Sequence, residues 1–296
     1  MRYVLLDVIR SVAIILVITA HIGQTTGSAV GYFFGIPHFY YVSLGGIGVT
    51  IFIVTSGLVS ELQYGSASLS YGRFMAGRFF RIYPDYYLSL LVGIAVYIYM
   101  YYPDLGEILS PSVWVCSITG LHAFCGQWGG PFVTTSWFIG LIMVLYLTFP
   151  YLSKSLKRHP HIIIITMLMV SIVSRIILGQ YDILPKRPLD WFPLCRIFEF
   201  SLGIYLAIMI KQGFWRCING SKVVASISQF IANISLPLFL VHYPLLSIIT
   251  FLANRGIPQS IAIVVFLGIS VCASWVILLV TNRLPRGLIL RKIFGS

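Results

Sequence analysis

The sequence predicts an all-α fold, a polytopic transmembrane helix bundle of about eight to ten membrane helices that includes one short or re-entrant segment. Three observations lead there. Of the 296 residues, 58% are hydrophobic and 9% charged, and the mean hydropathy is +0.92, well outside the range of soluble domains. Eight apolar runs reach the roughly 20 residues that a helix needs to cross a hydrocarbon core. Finally, Lys and Arg sit in short breaks between those runs, whereas nucleic-acid binders gather them in one solvated patch. The net charge of +12 therefore reads as membrane orientation, with membrane lipids as partners and no nucleic acid.

The runs lie near residues 4–23, 43–62, 84–102, 135–152, 161–178, 192–210, 229–252 and 260–281, with a shorter one near 110–124. The first resembles a signal peptide only superficially: Asp7 and Arg10 interrupt it and no small-x-small cleavage site follows, so it is expected to be retained. Basic residues cluster after the second run (Arg73, Arg78, Arg81), around 154–158 (Lys154, Lys157, Arg158), after 210 (Lys211, Arg216, Lys222) and at the end (Arg283, Arg286, Arg291, Lys292). Loops 24–42, 103–111 and 125–134 carry no Lys or Arg. By the positive-inside rule all the clusters face the cytoplasm if the 110–124 run enters and leaves by one face. Both termini are then cytoplasmic, with Lys186, Arg187 and Arg255 outside. No repeat or linker is visible, so residues 1–296 read as a single membrane domain. The five cysteines, Cys116, Cys125, Cys195, Cys217 and Cys272, have no metal-like spacing and read first as free thiols; Cys116 and Cys125 are the pair that an oxidising compartment would join.

The first run, LDVIRSVAIILVITAH, holds three ionisable residues. At 100° and 1.5 Å per residue, His21 returns to within roughly 20° of Arg10 and lies about 16 Å along the axis, and Asp7 falls within about 40° of the same direction. This polar stripe suits an intramembrane pathway or site, because a charged residue at the centre of a lone spanning helix costs about 2.5–3.5 kcal/mol. The blander alternative is an Asp7–Arg10 pair near the boundary that snorkels.

Later segments repeat the theme. GGIGVTIFIVTSGLVSEL places small residues through the second helix, which favours close packing. RFMAGRFFRIYPDYY joins Arg73, Arg78 and Arg81 to an aromatic helix expected to start at Pro84; paired guanidiniums suit either orientation or a phosphate-rich ligand. RIFEFSLGI sets Arg196 and Glu199 three apart within a span, as a neutralising pair or a substrate contact. SLPLFLVHYPLL puts His242 in a helix expected to be interrupted by Pro237 and Pro244, as in helices that line cavities. No phosphate loop, dinucleotide fingerprint, zinc-type cluster or nucleophile elbow occurs, and no metal is expected. His38, His122, His159 and His161 receive no role.

Taken in order, these segments resemble the acyltransferase-3 family of integral membrane acyltransferases. LDVIRSVAIILVITAH, with ten residues between Arg10 and His21, is similar to its signature, GGIGVTIFIVTSGL to its second-helix motif, RFFRIYP to its R-x-x-R-x-x-P element and SLPLFLVHYP to its late histidine motif. SWFIGLIMVLYLTFP, which contains Trp137, and RIFEFSLG are similar to two further blocks. The resemblance runs from residue 5 to about 250 and rests on the ordered set.

It implies transfer of an acyl group, usually acetyl from acetyl-CoA, to a sugar hydroxyl of a bacterial cell-surface polysaccharide such as lipopolysaccharide O-antigen, capsule or exopolysaccharide, at the inner membrane. The acceptor is thus a lipid-linked or surface carbohydrate. His21 matches the family's catalytic histidine, as general base or acyl carrier. Arg10 is its partner, able to stabilise an oxyanion or hold Asp7. Arg78 and Arg81, with Arg73, match the acyl-donor site, and Glu199, Arg196, His242 and Trp137 are candidates for acceptor contacts. The chain departs in having Ile142 where many relatives carry glutamate, and in an interval 211–230 too short for the helix pair that relatives place there. Two other classes stay open: a transporter or flippase with an Asp7/Arg10/His21 proton relay, and a non-catalytic scaffold that would tolerate His21→Ala.

Overall fold

A computed structural model describes residues 4–27, 43–65, 70–102, 110–126, 129–179, 187–212 and 222–294. The described residues form an all-α bundle with eight helices long and apolar enough to cross a membrane. The aromatic loop segment GYFFGIPHFYY and Cys217 lie outside them.

α1 (Val4–Thr26) packs between α2 (Leu44–Tyr64) and α9 (Lys222–Leu245). Ser11 Oγ ties α1 to α9 by donating to Ser228 O at 3.0 Å. α2 also packs tightly along α8 (Pro193–Lys211). The small residues make this possible: a Cβ at Gly57 would stand 2.1 Å from the Phe200 carbonyl oxygen, and one at Gly203 1.9 Å from that of Val54. The glycines of the second helix thus serve backbone-to-backbone approach. α3 (Tyr71–Tyr101) and α5 (Trp137–Arg158) complete the inner ring, α3 against α9 and α5 against α8. α6 (Pro160–Gly179) buries only Ser171, and such all-round apolar exposure suits lipid. α11 (Gln259–Asn282) packs on α9 and on α10 (Ser247–Ala253), and α12 (Arg286–Phe294) lies against α3.

Three local expectations are corrected. α3 starts at Tyr71, not Pro84: Ser70 Oγ accepts from the Arg73 backbone N–H at 3.3 Å, so the arginine-rich segment is the first turns of a 31-residue helix with Pro84 inside it. α9 likewise stays helical through Pro237 and Pro244. Cys116 and Cys125 form a disulfide. It staples α4 (Pro111–Thr119) to the short 3-10 turn at His122–Cys125 across Gly120, whose φ of +72° suits glycine. α4 has nine residues, a rise of about 13 Å, less than half a hydrocarbon core. Within that hairpin His122 is buried and its Nε2 lies 2.9 Å from Ser117 Oγ.

An ion cluster closes one end of the inner ring. Glu61 of α2 is fully buried; it accepts from Ser153 Oγ at 2.5 Å and pairs with Lys157 Nζ at 3.0 Å and Lys211 Nζ at 3.7 Å. Neither lysine was distinguished from other orienting charges in the sequence.

Candidate functional site

The polar stripe of α1 is divided between two cavities. Arg10 lines one of about 110 Å³ together with Arg78 and Arg81 of α3, Thr55 and Ser56 of α2, and Tyr146 of α5. His21 lines another of about 100 Å³ with Trp137, Arg196, Arg187, Asp190 and Tyr243. Between them stand three rings. Phe239 belongs to both walls, and its centroid is 5.0 Å from Phe138 and 5.9 Å from Phe52, with Phe52 and Phe138 6.4 Å apart. The two cavities therefore lie in line along α1, separated by an aromatic partition.

Among the described residues the arginine cavity has three guanidiniums and no carboxylate in its wall. Arg78 is 8% exposed and enclosed by the rings of Tyr64, Tyr146 and Phe74 at 4.9, 5.0 and 5.2 Å. Rings stabilise a cation through their quadrupole but leave its N–H groups without acceptors, and Arg78 Nε and Nη2 have no hydrogen-bond partner among the described residues. A buried charge in that condition is costly unless an anion completes it. Arg73, half-exposed one turn earlier, is outside this wall, and Asp7, buried below Arg10, lies outside both. Ile142 lines the arginine cavity.

In the histidine cavity two remote motifs meet. His21 Nδ1 lies 2.8 Å from His242 Nε2, and His242 Nδ1 lies 2.9 Å from the Leu238 carbonyl oxygen. A carbonyl only accepts, so His242 carries its proton on Nδ1. With both rings neutral, His242 Nε2 then accepts from His21 Nδ1–H, which leaves the lone pair on His21 Nε2. The fully buried His242 thus orients His21 and sets its tautomer. Tyr243 packs edge-on to His21, centroids 5.1 Å apart. Trp137 enters the wall at the start of α5, where Thr135 Oγ1 donates to Phe239 O at 3.1 Å and pins that segment to α9.

Arg196 and Glu199 do form the neutralising pair, at 3.2 Å, but within a larger network. Arg196 Nε donates to Asp190 O at 3.0 Å and its Nη1 to Thr50 Oγ1 at 3.3 Å. Glu199 also pairs with Arg175 of α6 at 3.0 Å, and Asp190 with Arg187 at 2.8 Å. Arg196 thereby reaches the histidine cavity, whereas Glu199 lies behind it and outside its wall. Sequence reading passed over Arg175 and Asp190. Arg175 had a signal, a charge inside an otherwise apolar run; the Phe52, Phe138 and Phe239 partition had none, since each looks like ordinary core.

The acyltransferase domain model of the acyltransferase-3 family matches residues 3–216, and the chain belongs to that family. It is 25% identical over 246 residues to Acyltransferase MdmB of Streptomyces mycarofaciens, an alignment covering 74% of this chain and 62% of that protein. The chain therefore spans less than two thirds of this relative's length. No solved structure matches the chain. Among its described residues this member of the family has eight helices long and apolar enough to cross a membrane.

Proposed function

We propose that this chain transfers an acetyl group from acetyl-CoA, whose phosphates meet the arginines from the cytoplasmic side while most of the donor lies outside that cavity of about 110 Å³, to a sugar hydroxyl of a cell-surface polysaccharide at the histidine cavity. The orientation has both termini cytoplasmic at the inner membrane. The observation that supports it best is the pairing of two unlike cavities in line: a carboxylate-free wall with an uncompensated buried guanidinium at one end, and an oriented imidazole at the other.

The donor set fits a polyanion. Arg78 and Arg81 offer forked N–H groups to phosphate oxygens, Arg10 adds a third charge to the same wall, and the rings around Arg78 hold its plane in place. The donor supplies the activated thioester; the chain supplies position and charge. The acyl end must cross the Phe52–Phe138–Phe239 partition to reach His21, so side-chain rotation there admits the thioester while excluding bulk water.

At His21, Nε2 removes the proton from the attacking sugar hydroxyl as the oxygen bonds to the thioester carbonyl carbon. The tetrahedral adduct collapses with cleavage of the C–S bond, and the imidazolium returns the proton to the leaving thiolate. His242 accepts the Nδ1–H throughout and holds the ring. The same nitrogen is placed to carry the acetyl group itself in a two-step path. Arg196, fixed by Asp190 and Glu199, presents positive charge to the same cavity. The polar stripe is not a continuous relay, because the aromatic partition stands between Arg10 and His21, and this favours transfer over proton transport.

The test is the O-acetyl content of surface polysaccharide, read by NMR in cells that express wild type, His21→Ala and Arg78→Ala at matched membrane levels. Wild type should add an O-acetyl signal and both variants should lose it, His21→Ala by at least about 10²-fold. Persistence of the signal without His21 would overturn the mechanism.

A further inference from the structure

A third cavity, of about 320 Å³, opens beside the histidine cavity. It lies among the last turns of α1 and α3, the 131–134 segment and the α9–α10 junction, and Tyr243 belongs to both walls. We infer that this groove seats the sugar ring of the acceptor and that one hydroxyl reaches His21 past Tyr243. The inference rests on the acyltransferase reading above and adds to it a place for the acceptor.

Size separates the two outer spaces. Ligand sites usually measure about 300–1,000 Å³; the groove falls in that range, and the histidine cavity, at about 100 Å³, does not. A reacting hydroxyl fits beside His21, but the body of a sugar has to rest elsewhere.

The lining selects the ligand chemistry. Tyr97, Tyr101, Phe132 and Tyr243 contribute rings, and no charged side chain is present among the described lining residues. The serine and threonine hydroxyls among them have their protons already given away. Thr25 Oγ1 donates to His21 O, Ser247 Oγ to Pro244 O and Thr250 Oγ1 to Ser247 O, each at 2.9 Å. Their oxygens keep lone pairs, so the wall presents acceptors beside aromatic faces. A neutral ligand rich in hydroxyl donors with apolar C–H faces meets that pattern. A lipid tail would leave the acceptors unused, and a phosphate would find no cation among the described lining residues.

The experiment uses the full chain in nanodiscs with radiolabelled acetyl-CoA, and as acceptors methyl and octyl hexosides of gluco, galacto and manno configuration, with 1-octanol as the sugar-free competitor. Thr250→Trp fills the mouth of the groove and Tyr101→Ala removes a ring; both positions are exposed, so folding should survive. Tyr151→Ala, at an outlying residue that is 75% exposed, is the control. The expected result is a hexoside KM raised tenfold or more in both groove variants, with KM for acetyl-CoA within a factor of two of wild type and the control unchanged. If wild type acetylates a hexoside and the groove variants keep its KM, the groove assignment fails while the acyltransferase reading stands. Competition by 1-octanol equal to that of octyl hexosides would assign the groove to lipid and overturn the inference. If wild type acetylates no hexoside, the carbohydrate reading falls and takes the groove with it.

Discussion

Arg78 and Arg196 are equally hidden, 8% and 6% exposed, yet their surroundings are opposite. Arg196 is held by Glu199, Asp190 and Thr50 across three helices. Arg78 is packed among three aromatic rings, and two of its nitrogens have no acceptor. The first arrangement is complete within the protein and acts as a brace that happens to touch a cavity. The second is complete only when something anionic arrives. Burial alone therefore does not distinguish a structural arginine from a binding one; the absence of a carboxylate does.

The largest test of this contrast is Arg196→Ala. Removing one member of a buried ion network leaves Glu199 with Arg175 alone and should cost up to about 3 kcal/mol, the low end for breaking a buried pair, read as a lower midpoint of thermal unfolding in detergent. An unchanged midpoint would mean that Arg196 is no brace. Arg78→Ala should behave differently, with the midpoint near or above that of wild type because an uncompensated charge has gone. KM for acetyl-CoA should rise about tenfold to a hundredfold, matching about 1.5–3 kcal/mol for hydrogen bonds to a charged group. Arg78→Lys, which keeps the charge but not the fork, should recover only part of that loss. Equal loss of stability in the Arg78 and Arg196 variants would erase the distinction.

A smaller effect is expected at His242, which acts through His21. His242→Ala takes away the acceptor of the His21 Nδ1–H, so kcat should fall about tenfold, less than the roughly 10²-fold or more that a general base itself contributes, with KM for acetyl-CoA unaltered. His242→Asn, whose side-chain oxygen can accept at a similar place, should restore part of kcat. No rescue by asparagine, or a loss confined to KM, would remove the orienting role.

Much of this molecule was legible in its order of residues. The eight crossings, the short segment between the third and the next, and the unusual charges of α1 follow from composition and period, because hydrocarbon thickness and helix pitch act on each segment separately. The arginines of α3 were visible too, although the start of their helix was set by Ser70 capping the turn rather than by Pro84. What tertiary structure alone decided is which of these residues meet. His21 and His242 touch across 221 positions of sequence. Glu199 finds Arg175 as well as Arg196, and three ordinary core phenylalanines become a partition between two cavities. Local rules determine where each helix runs and which face is polar. The partner of that face is chosen by packing between helices far apart in the chain, where small-residue contacts such as Gly57 on Phe200 and Gly203 on Val54 set how closely they approach.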